Sequence, residues 1–377
     1  MKLSNAENAI LDLRKLENYC LNPEHPRKEN TAMTSKKRIQ DYGIKIGELP
    51  KGPLNKISDV QGVKVGHCTI DTEEHKTGVT VILPGPNNIF THKLISAVHV
   101  INGFGKSLGL MQIDELGTLE TPIALTNTLN VGLAHDALVE YMIRESEKEK
   151  IDIRSFNPIV CECNDSFLNN IRKRAVKKEH VFQAFQDCRR DFMEGDIGAG
   201  KGISCHELKG GIGSASRKIE LDGTEYTLGV LVQTNHGQLK DLIIQGKEIG
   251  KDLAEKIDVK NNQNDGSIII VIATDIPCSS RQLKRICKRA VTGMARLGSY
   301  IDNGSGEIVI GFSTANIIPD KKNKEIFPIK ILHEKSLNKA FRAIAEACEE
   351  AILNSMICAS RVVGFKGNVR ESLRDYI

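Results

Sequence analysis

The clearest hydrophobic pattern in the chain is an unbroken apolar run from Ile268 to Ala273. The run is short and rich in β-branched residues, and it therefore predicts a strand that is buried on both faces. A polar, turn-forming stretch from Lys260 to Gly266 precedes it, and Ser267 stands at the junction. We expect Ser267 at the mouth of the strand, beside a glycine that lets another backbone approach closely.

Other alternating or apolar segments predict further strands, and segments with apolar residues at helical spacing predict helices. The predicted strands span residues 60–70, 78–83, 94–101, 121–125, 158–163, 226–233 and 306–314. The predicted helices span residues 1–22, 134–144, 167–188, 279–297 and 335–359. Grouped strands followed by paired long helices indicate an α/β fold in which helices cover the sheets of one compact domain.

The N-terminal region differs from the rest of the chain. Its predicted helix is followed by residues 22–35, a polar stretch with two prolines that predicts a linker. We therefore divide the chain into a helical appendage with its linker, residues 1–36, and a single domain, residues 37–377. The appendage is either a peripheral helix or a packing arm for a neighbouring subunit.

Composition excludes several functional classes. The 52 basic and 48 acidic residues are interspersed and give a net charge of +4, which is too mild to indicate binding to nucleic acid or to an anionic membrane. The first 30 residues are charged throughout and do not resemble a signal peptide, and the longest apolar run is too short to span a bilayer. The ten cysteines are scattered without a CxxC pair, which favours free thiols in a reducing cytoplasm.

One glycine-rich stretch resembles a phosphate-binding loop but departs from it at one position. Residues Gly195 to Lys201 fit the first seven positions of that motif. The eighth position should be Ser or Thr to hold magnesium, and here it is Gly202. We interpret the tract as a glycine-rich turn that packs closely on its neighbours.

Other patterns suggest chemistry but lack the context that it needs. A Gly-x-Ser-x-Gly word centres on Ser107, but no sharp turn from strand to helix surrounds it. Cys161 and Cys163 would lie on one face of a strand, but no second pair with metal-ligand spacing follows. The histidines that could enter a Ser-His-Asp triad, each more often structural, are His67, His92, His99, His236 and His333. We predict no metal ion and no cofactor.

Three blocks of sequence, in a fixed order and at fixed spacing, form a pattern that can be compared with known families. The first is ISDVQGVKVGH at 57–67 with GVTVI at 78–82, and the second is GTLETPI at 117–123 with TNT at 126–128. The third joins GGIG at 210–213, VLVQTN at 230–235 and the Gly-Ser pair at 266–267. Together they resemble the DmpA-like family of self-processing serine aminopeptidases, which includes L-aminopeptidase/D-esterases, β-aminopeptidases and nylon-oligomer hydrolases. The resemblance covers roughly residue 37 to the C-terminus.

The resemblance implies a four-layer αββα sandwich, similar to N-terminal-nucleophile hydrolases but with different connectivity. It also implies self-cleavage between Gly266 and Ser267 into two polypeptides that stay associated, often in a tetramer of cut protomers. The implied activity is hydrolysis of N-terminal residues from peptides or from aminoacyl amides and esters. Ser267 resembles the nucleophile of the family, and Asn235 resembles the asparagine near it. Ser305 and Glu307 resemble the paired polar residues that orient the reacting group.

The residue types are consistent with these roles. Ser305 and Glu307 lie two apart at the start of a predicted strand, so their side chains share a face. Asn235 ends a predicted strand and offers an amide N–H₂ suited to a developing oxyanion. Without the resemblance, each assignment has an ordinary alternative. Ser305 and Glu307 could simply be solvated residues at the start of a strand, and Asn235 could simply be a turn residue.

Three further residues are candidates for substrate binding. Glu162 and Glu120 can each hold a substrate ammonium group, which would restrict cleavage to N-terminal residues. Asn164 lies near the place where some members of the family carry a tyrosine. The local sequence here is Glu-Cys-Asn-Asp at residues 162–165, so this chain has no phenol at that place.

The implied chemistry depends on an unusual base. The α-amine that a cut would free on Ser267 has an ordinary pKa of about 7.7–8.0, so near neutral pH much of it can accept the hydroxyl proton without a histidine. Two alternatives stay open at this point. One is an acyltransferase of the related ornithine-acetyltransferase type, which uses an N-terminal threonine, and the other is a non-catalytic binding homologue that never cleaves.

Overall fold

Two β-sheets pack face to face, and helices cover their outer surfaces. The computed structural model describes residues 36–85, 88–257, 266–322 and 324–377. The helix predicted at residues 1–22, the linker up to residue 35 and the polar stretch up to residue 265 lie outside the described residues. Lys36–Ile377 cluster as one compact unit.

The secondary structure of the described residues follows the chain in this order. The strands are β1 (Lys64–Asp71), β2 (Lys76–Leu83), β3 (His92–Gly103), β4 (Thr118–Leu119), β5 (Ile123–Asn127), β6 (Ile159–Cys163), β7 (Ser204–Cys205), β8 (Leu208–Lys209), β9 (Ile212–Leu221), β10 (Thr224–Asn235), β11 (Ser267–Thr274), β12 (Gly306–Pro319), β13 (Val362–Val363) and β14 (Val369–Arg370). The helices are α1 (Leu110–Leu116), α2 (Val131–Lys148), α3 (Lys178–Gln186), α4 (Ile249–Lys256), α5 (Ser280–Cys287), α6 (Ala290–Arg296) and α7 (Leu337–Ile357).

Ten of these strands form the two main sheets. The smaller sheet has the order β1-β2-β5-β6, and the larger has the order β4-β3-β12-β11-β10-β9. Apolar side chains from both sheets meet in one core between them, for example Ile82 and Ile123 from the smaller sheet with Val271 and Ile310 from the larger. The other four strands form two short pairs, β7-β8 and β13-β14.

A layer of helices covers the outer face of each sheet. α2 and α3 pack on the smaller sheet through residues such as Leu138 and Val181. α5, α6 and α7 pack on the larger sheet through residues such as Leu283, Met294 and Ile352. This order of layers confirms the predicted αββα sandwich. Within the described ranges, no helix is both long enough and apolar enough to cross a membrane.

β11 lies near the middle of the larger sheet, and its burial on both faces confirms the prediction made from its apolar run. Its even-numbered residues, from Ile268 to Ile272, face the outer helices. Ile269, Val271 and Ala273 face the smaller sheet. A slip of one residue would turn each of these side chains to the opposite face. Because both faces are apolar, the register depends on close packing on each side and not on an alternation of polar and apolar residues.

Some predicted elements differ from those observed. The helix predicted at 167–188 is limited to α3, and the helix predicted at 279–297 is divided into α5 and α6. Before α3, the Asn169 Nδ2 group donates to Asp165 at 2.9 Å. Side-chain hydrogen bonds of this kind compete with helix formation and favour turns. The sequence patterns did not predict α1, α4 or β9.

The glycine-rich stretch does not form a phosphate-binding loop. The Lys201 Nζ atom lies 2.7 Å from Asp71 and 3.2 Å from Asp196, so these carboxylates already pair with its charge. A side chain at Gly202 would overlap the Lys76 carbonyl oxygen, which explains why glycine stands where the motif needs Ser or Thr. The tract packs closely on its neighbours, as we interpreted it from the sequence.

Candidate active site

The ends of three neighbouring strands bring four of the predicted residues together. Where β10 meets β11, Asn235 lies directly opposite Ser267. Where β11 meets β12, the partner of Ser267 is Gly306, which Ser305 and Glu307 flank in sequence. Paired residues on neighbouring strands have Cα atoms about 4.5–5.5 Å apart, so these residues form one compact group.

Ser267 is buried, with only 5% of its surface exposed. Its side chain lies on the same face as that of Asn235, because directly opposite residues share a face of the sheet. The Cys163 thiol of β6 lies against the Ser267 hydroxyl. Even so, Ser267 Oγ has no partner with good hydrogen-bond geometry among the described residues. A buried hydroxyl of this kind requires an explanation, and a reactive role is one.

The peptide bond before Ser267 is held from two sides. The Gly306 N–H donates to the Gly266 carbonyl oxygen at 3.0 Å. A donor therefore already faces the oxygen that would become negative if the Ser267 hydroxyl attacked its own chain. A Cβ atom at residue 266 would lie 2.9 Å from Ser305 Oγ, so glycine allows the Ser305 hydroxyl to pack against this peptide.

Ser305 and Glu307 form a buried pair beside the same peptide. Ser305 Oγ donates to Glu307 Oε1, as their predicted common face requires. Glu307 Oε2 has no hydrogen-bond partner in the part of the chain that the structure describes. Burial raises the pKa of Glu307, and the hydrogen bond from Ser305 offsets part of that rise. The carboxylate is thus placed to hold an ammonium group near the first residue of β11.

Asn235 is oriented by a backbone contact. Its Oδ1 atom accepts the Ser204 N–H at 3.0 Å. Because that oxygen is engaged, the N–H₂ group is the end of the side chain that remains to donate beside Ser267. An oxyanion donor needs this orientation.

Glu162 lies close to this group, at the end of β6. It is 4% exposed, its Oε1 atom accepts the Lys106 N–H at 3.1 Å, and its Oε2 atom accepts the Thr128 hydroxyl. Lys106 belongs to the loop after β3, which passes directly over Gly306. Glu162 therefore joins the smaller sheet to the loop that covers the site.

The structure does not bring Glu120 to the site. Both N–H groups of Asn157 donate to Glu120, and Lys93 lies 3.7 Å from it, near the first residue of β3. Glu307 pairs with Asn102, near the last residue of β3. The two positions are about 30 Å apart along the strand at roughly 3.3 Å per residue. Strand register separates Glu120 from the other candidates, which contradicts the expectation that it binds the substrate ammonium group there.

Two other candidates have local surroundings. Asn164 Oδ1 accepts the Ser166 N–H at 2.9 Å, which is a contact typical of turns. Ser107 lies in the loop between β3 and α1, with the Cys161 thiol against it. A nucleophile elbow would place this serine directly between a strand and a helix, and the loop does not.

Histidine is not the base for Ser267 in this arrangement. His67 lies in the smaller sheet, where its Nδ1 atom is 2.9 Å from the Thr80 hydroxyl. Burial lowers the pKa of His67 to about 3 and that of His236 to about 3. Neither ring forms a hydrogen bond with the Ser267 hydroxyl.

Sequence reasoning missed two parts of this site. Gly306 was passed over, although it separates Ser305 from Glu307 and its N–H faces the peptide bond before Ser267. Cys163 was considered only as a metal ligand, although its thiol touches the Ser267 hydroxyl. The alternation of Cys161 and Cys163 does predict a common face, but only the packing of the sheets reveals what that face meets.

An αββα sandwich with a serine at the start of a central strand is typical of hydrolases with an N-terminal nucleophile. The family model described as "Peptidase family S58" matches residues 55–370. This chain belongs to peptidase family S58 and is a hydrolase of the aminopeptidase class.

Individual relatives agree with this assignment. Beta-peptidyl aminopeptidase BapA from Sphingosinicella xenopeptidilytica is 36% identical over 358 residues, which cover 89% of this chain and 88% of that protein. The PH0078 protein from Pyrococcus horikoshii OT3 has a TM-score of 0.84 and 47% identity, with 89% of this chain and 96% of that chain covered.

A third relative bears on the fold. The L-aminopeptidase D-Ala-esterase/amidase from Ochrobactrum anthropi has a TM-score of 0.83 and 34% identity, with 89% of this chain and 95% of that chain covered. Its structure is described as a prototype for the serine aminopeptidases and a new variant among the Ntn hydrolase fold. These similarities favour a hydrolase over the acyltransferase and over the non-catalytic homologue.

Proposed function

We propose that this protein is a self-processing N-terminal-serine aminopeptidase. It cuts its own chain before Ser267 and then hydrolyses N-terminal residues from peptides or from aminoacyl amides and esters. The observation that carries the proposal is the strand register, which sets Ser267 opposite Asn235 and beside Gly306. The Ser267 hydroxyl is buried at that point and lacks a hydrogen-bond partner within the described ranges.

Self-cleavage begins when the Ser267 hydroxyl attacks the Gly266 carbonyl carbon. The Gly306 N–H, 3.0 Å from the Gly266 oxygen, stabilises the negative charge that forms there. The carbon–nitrogen bond then breaks, the acyl chain passes from nitrogen to Oγ, and the hydroxyl proton ends on the departing nitrogen. Water hydrolyses the new ester, which leaves Ser267 with a free hydroxyl and a free α-amine.

Turnover uses that amine as the base. The amine takes the hydroxyl proton while Oγ attacks the substrate carbonyl, and it returns the proton to the leaving group. The Asn235 N–H₂ group donates to the oxyanion, and Ser305 with Glu307 holds the amine in place. Water, activated by the same amine, then hydrolyses the acyl-serine ester.

Selection of N-terminal residues requires a group that binds the substrate ammonium. Glu162 is our candidate, because its carboxylate accepts a hydrogen bond from the loop that passes over Gly306. Hydrogen bonds from Lys106 and Thr128 fix the orientation of its carboxylate. We assign Asn164, at the same strand end, to the rim of the substrate site.

The names of the relatives refer to β-peptidyl substrates in one case and to L-aminopeptidase and D-Ala-esterase/amidase activity in the other, so both classes are included in the test.

Intact mass spectrometry of the purified protein under denaturing conditions tests this function. We expect two chains in equal amounts, residues 1–266 and 267–377. The cut protein is then given a panel of α- and β-aminoacyl anilides, each with a free or an acetylated amine, and we expect hydrolysis only when the amine is free. A single uncut chain, or equal hydrolysis of the acetylated compounds, would contradict the proposal.

Glu307→Gln is expected to move the pH dependence of the reaction. A carboxylate beside an ammonium group favours the charged form and raises the pKa of the amine. Without that charge the pKa of the Ser267 α-amine falls, so the acidic limb of the kcat/KM profile moves to lower pH. We also expect kcat to fall by about tenfold or more, because the base is no longer held in place.

The measurement is a pH–rate profile normalised to the fraction of cut chains. The exposed residue Glu325 provides the matched control. It follows the last residue of β12, at the opposite end of that strand from Glu307, so Glu325→Gln should leave the profile unchanged. An acidic limb in Glu307→Gln that coincides with that of the unaltered protein would exclude the proposed ion pair.

We also propose that the cut protomers form a homo-oligomer, a tetramer, in the cytoplasm, with residues 1–36 as an appendage to the domain of residues 37–377. Large apolar side chains are strongly exposed, among them Met111 at 88% and Ile326 at 86%, and contacts between subunits would cover them. The nine cysteines within the described residues are free, which suits a reducing compartment. Light scattering on the cut protein gives the subunit number, and a monomer would contradict this assembly.

A further inference from the structure

A second group of reactive side chains lies next to the candidate active site. Cys205 ends β7, His206 follows it, and His236 follows the last residue of β10. One ligand atom from each residue lies within 4.8 Å of the others. Cys205 and His206 are completely buried, and His236 is 5% exposed. Three potential ligands thus converge on one small volume inside the protein.

The hydrogen bonding of His206 defines which nitrogen faces the group. Its Nδ1 atom lies 3.0 Å from the Gln238 carbonyl oxygen. A carbonyl only accepts, so Nδ1 carries the proton and Nε2 carries the lone pair. No described residue forms a hydrogen bond with Nε2, although it is buried. A histidine that donates one N–H to a backbone carbonyl and keeps its other nitrogen basic is the form that metals bind.

The His236 ring has even fewer hydrogen bonds than the His206 ring. Neither Nδ1 nor Nε2 of this ring has a hydrogen-bond partner anywhere in the described ranges. A buried polar group without a partner is unfavourable, and here three ring nitrogens of two neighbouring histidines share that condition. The two rings stand edge to face with centroids 5.7 Å apart, which does not join them by a hydrogen bond.

The backbone holds these side chains in place before any ligand arrives. His206 has a φ of 46°, and Gly237 has a φ of 85°. A Cβ atom on Gly237 would lie 2.7 Å from His206 Nδ1, so the imidazole ring packs directly on the glycine backbone. The His206 N–H also donates to the His236 carbonyl oxygen at 2.7 Å, which ties the two segments together.

We propose that Cys205 Sγ, His206 Nε2 and one ring nitrogen of His236 bind a single divalent transition-metal ion of the zinc class. Two imidazoles and one thiolate suit Zn²⁺ or Co²⁺ and exclude Mg²⁺ and Ca²⁺, which prefer oxygen ligands. Zn–N distances of about 2.0–2.1 Å and a Zn–S distance of about 2.3 Å would draw the ligand atoms, which lie within 4.8 Å of one another, closer together. The thiol releases its proton to solvent as the sulfur–metal bond forms, and a water molecule completes four-fold coordination.

A metal ion bound here would affect catalysis by fixing the position of Asn235. It would not contact the Ser267 hydroxyl or the substrate carbonyl. Ser204, which donates to Asn235 Oδ1, directly precedes Cys205. His236 directly follows Asn235 in the chain. A bound ion would clamp the segments on both sides of Asn235, so it would hold the oxyanion donor in position. The metal is a structural clamp in this proposal.

The test is a Co²⁺ titration of the purified full-length protein after dialysis against a chelator. Co²⁺ reports a four-coordinate site by its strong visible absorption, and it reports a thiolate ligand by a sulfur-to-cobalt charge-transfer band in the near ultraviolet. We expect one Co²⁺ per protomer with both signals, and we expect Zn²⁺ to displace it. Cys205→Ser should abolish the charge-transfer band, and His236→Gln should weaken binding by about tenfold or more.

Matched controls are Cys161→Ser and His67→Gln, which change a buried cysteine and a buried histidine outside the group and should leave the spectrum unaltered. A wild-type spectrum without the charge-transfer band would overturn the proposal, and so would a band that persists in Cys205→Ser. The wild-type result decides the matter even if a variant does not fold. Because the readout is optical and can be recorded on uncut Ser267→Ala protein, it succeeds or fails independently of the proposed function.

Discussion

Ser267→Ala is expected to yield a single uncut chain with no measurable aminopeptidase activity. The substitution removes the hydroxyl that both steps require, and the intact peptide bond also withholds the α-amine that would serve as the base. Loss of a serine nucleophile lowers kcat on the order of 10⁶-fold in a comparable hydrolase. Denaturing mass spectrometry measures the cut, and turnover of an aminoacyl anilide measures the activity.

The fold should survive this change, so the loss can be assigned to chemistry. Ser267 Oγ makes no hydrogen bond of good geometry with the described residues, so alanine removes only its contact with the Cys163 thiol. Ser107→Ala is the matched control, because it deletes the rival serine of the Gly-x-Ser-x-Gly word and should leave cutting and turnover intact. Normal cutting of Ser267→Ala protein would refute the assignment.

Asn235→Asp is expected to lower kcat by about 10²–10³-fold, the usual effect of removing one oxyanion-hole donor. The aspartate keeps an oxygen that can accept the Ser204 N–H, so the backbone contact is retained. It replaces the N–H₂ group with a second oxygen, which repels the oxyanion instead of donating to it. The change therefore tests the hydrogen-bond donor of Asn235 without removing the backbone contact that orients the side chain.

The measurement is kcat per cut chain, with the cut fraction determined separately. Asn338→Asp adds the same charge at an exposed position of α7 and should leave turnover unaltered. Undiminished turnover in Asn235→Asp would remove the residue from the oxyanion site. A drop caused by unfolding would appear as a lower thermal midpoint, which distinguishes it from a chemical effect.

The sequence predicts this site well wherever local pattern and resemblance meet. The apolar run after Ser267 identifies the central strand, and the spacing of Ser305 and Glu307 predicts their contact. Glu120 shows the limit of this reasoning. Glu120 belongs to the block at 117–123, one of the three that carry the resemblance. The pairing of β4 with β3 nevertheless leaves it at the end of the sheet opposite to Ser267.

Long-range pairing also explains what the sequence did not reveal. About thirty residues separate His206 from His236, and only the packing of β7 against the end of β10 brings them together. Gly306 has no side chain that could attract attention, and its importance comes from a backbone hydrogen bond to Gly266. The helix predicted at 167–188 failed for a local reason, since asparagine side chains there bond within turns.

The strand order of the larger sheet has a consequence for the proposed cut before Ser267. β11 and β12 lie side by side between β3 and β10, so a break before Ser267 gives the inner pair to one polypeptide and both flanking pairs to the other. In the proposed cut protein, the two polypeptides would be interleaved through a shared sheet, and dilution would not separate them without global unfolding. Once denatured, they would have to meet again in a bimolecular step, so the proposed cut would replace reversible folding with kinetic persistence.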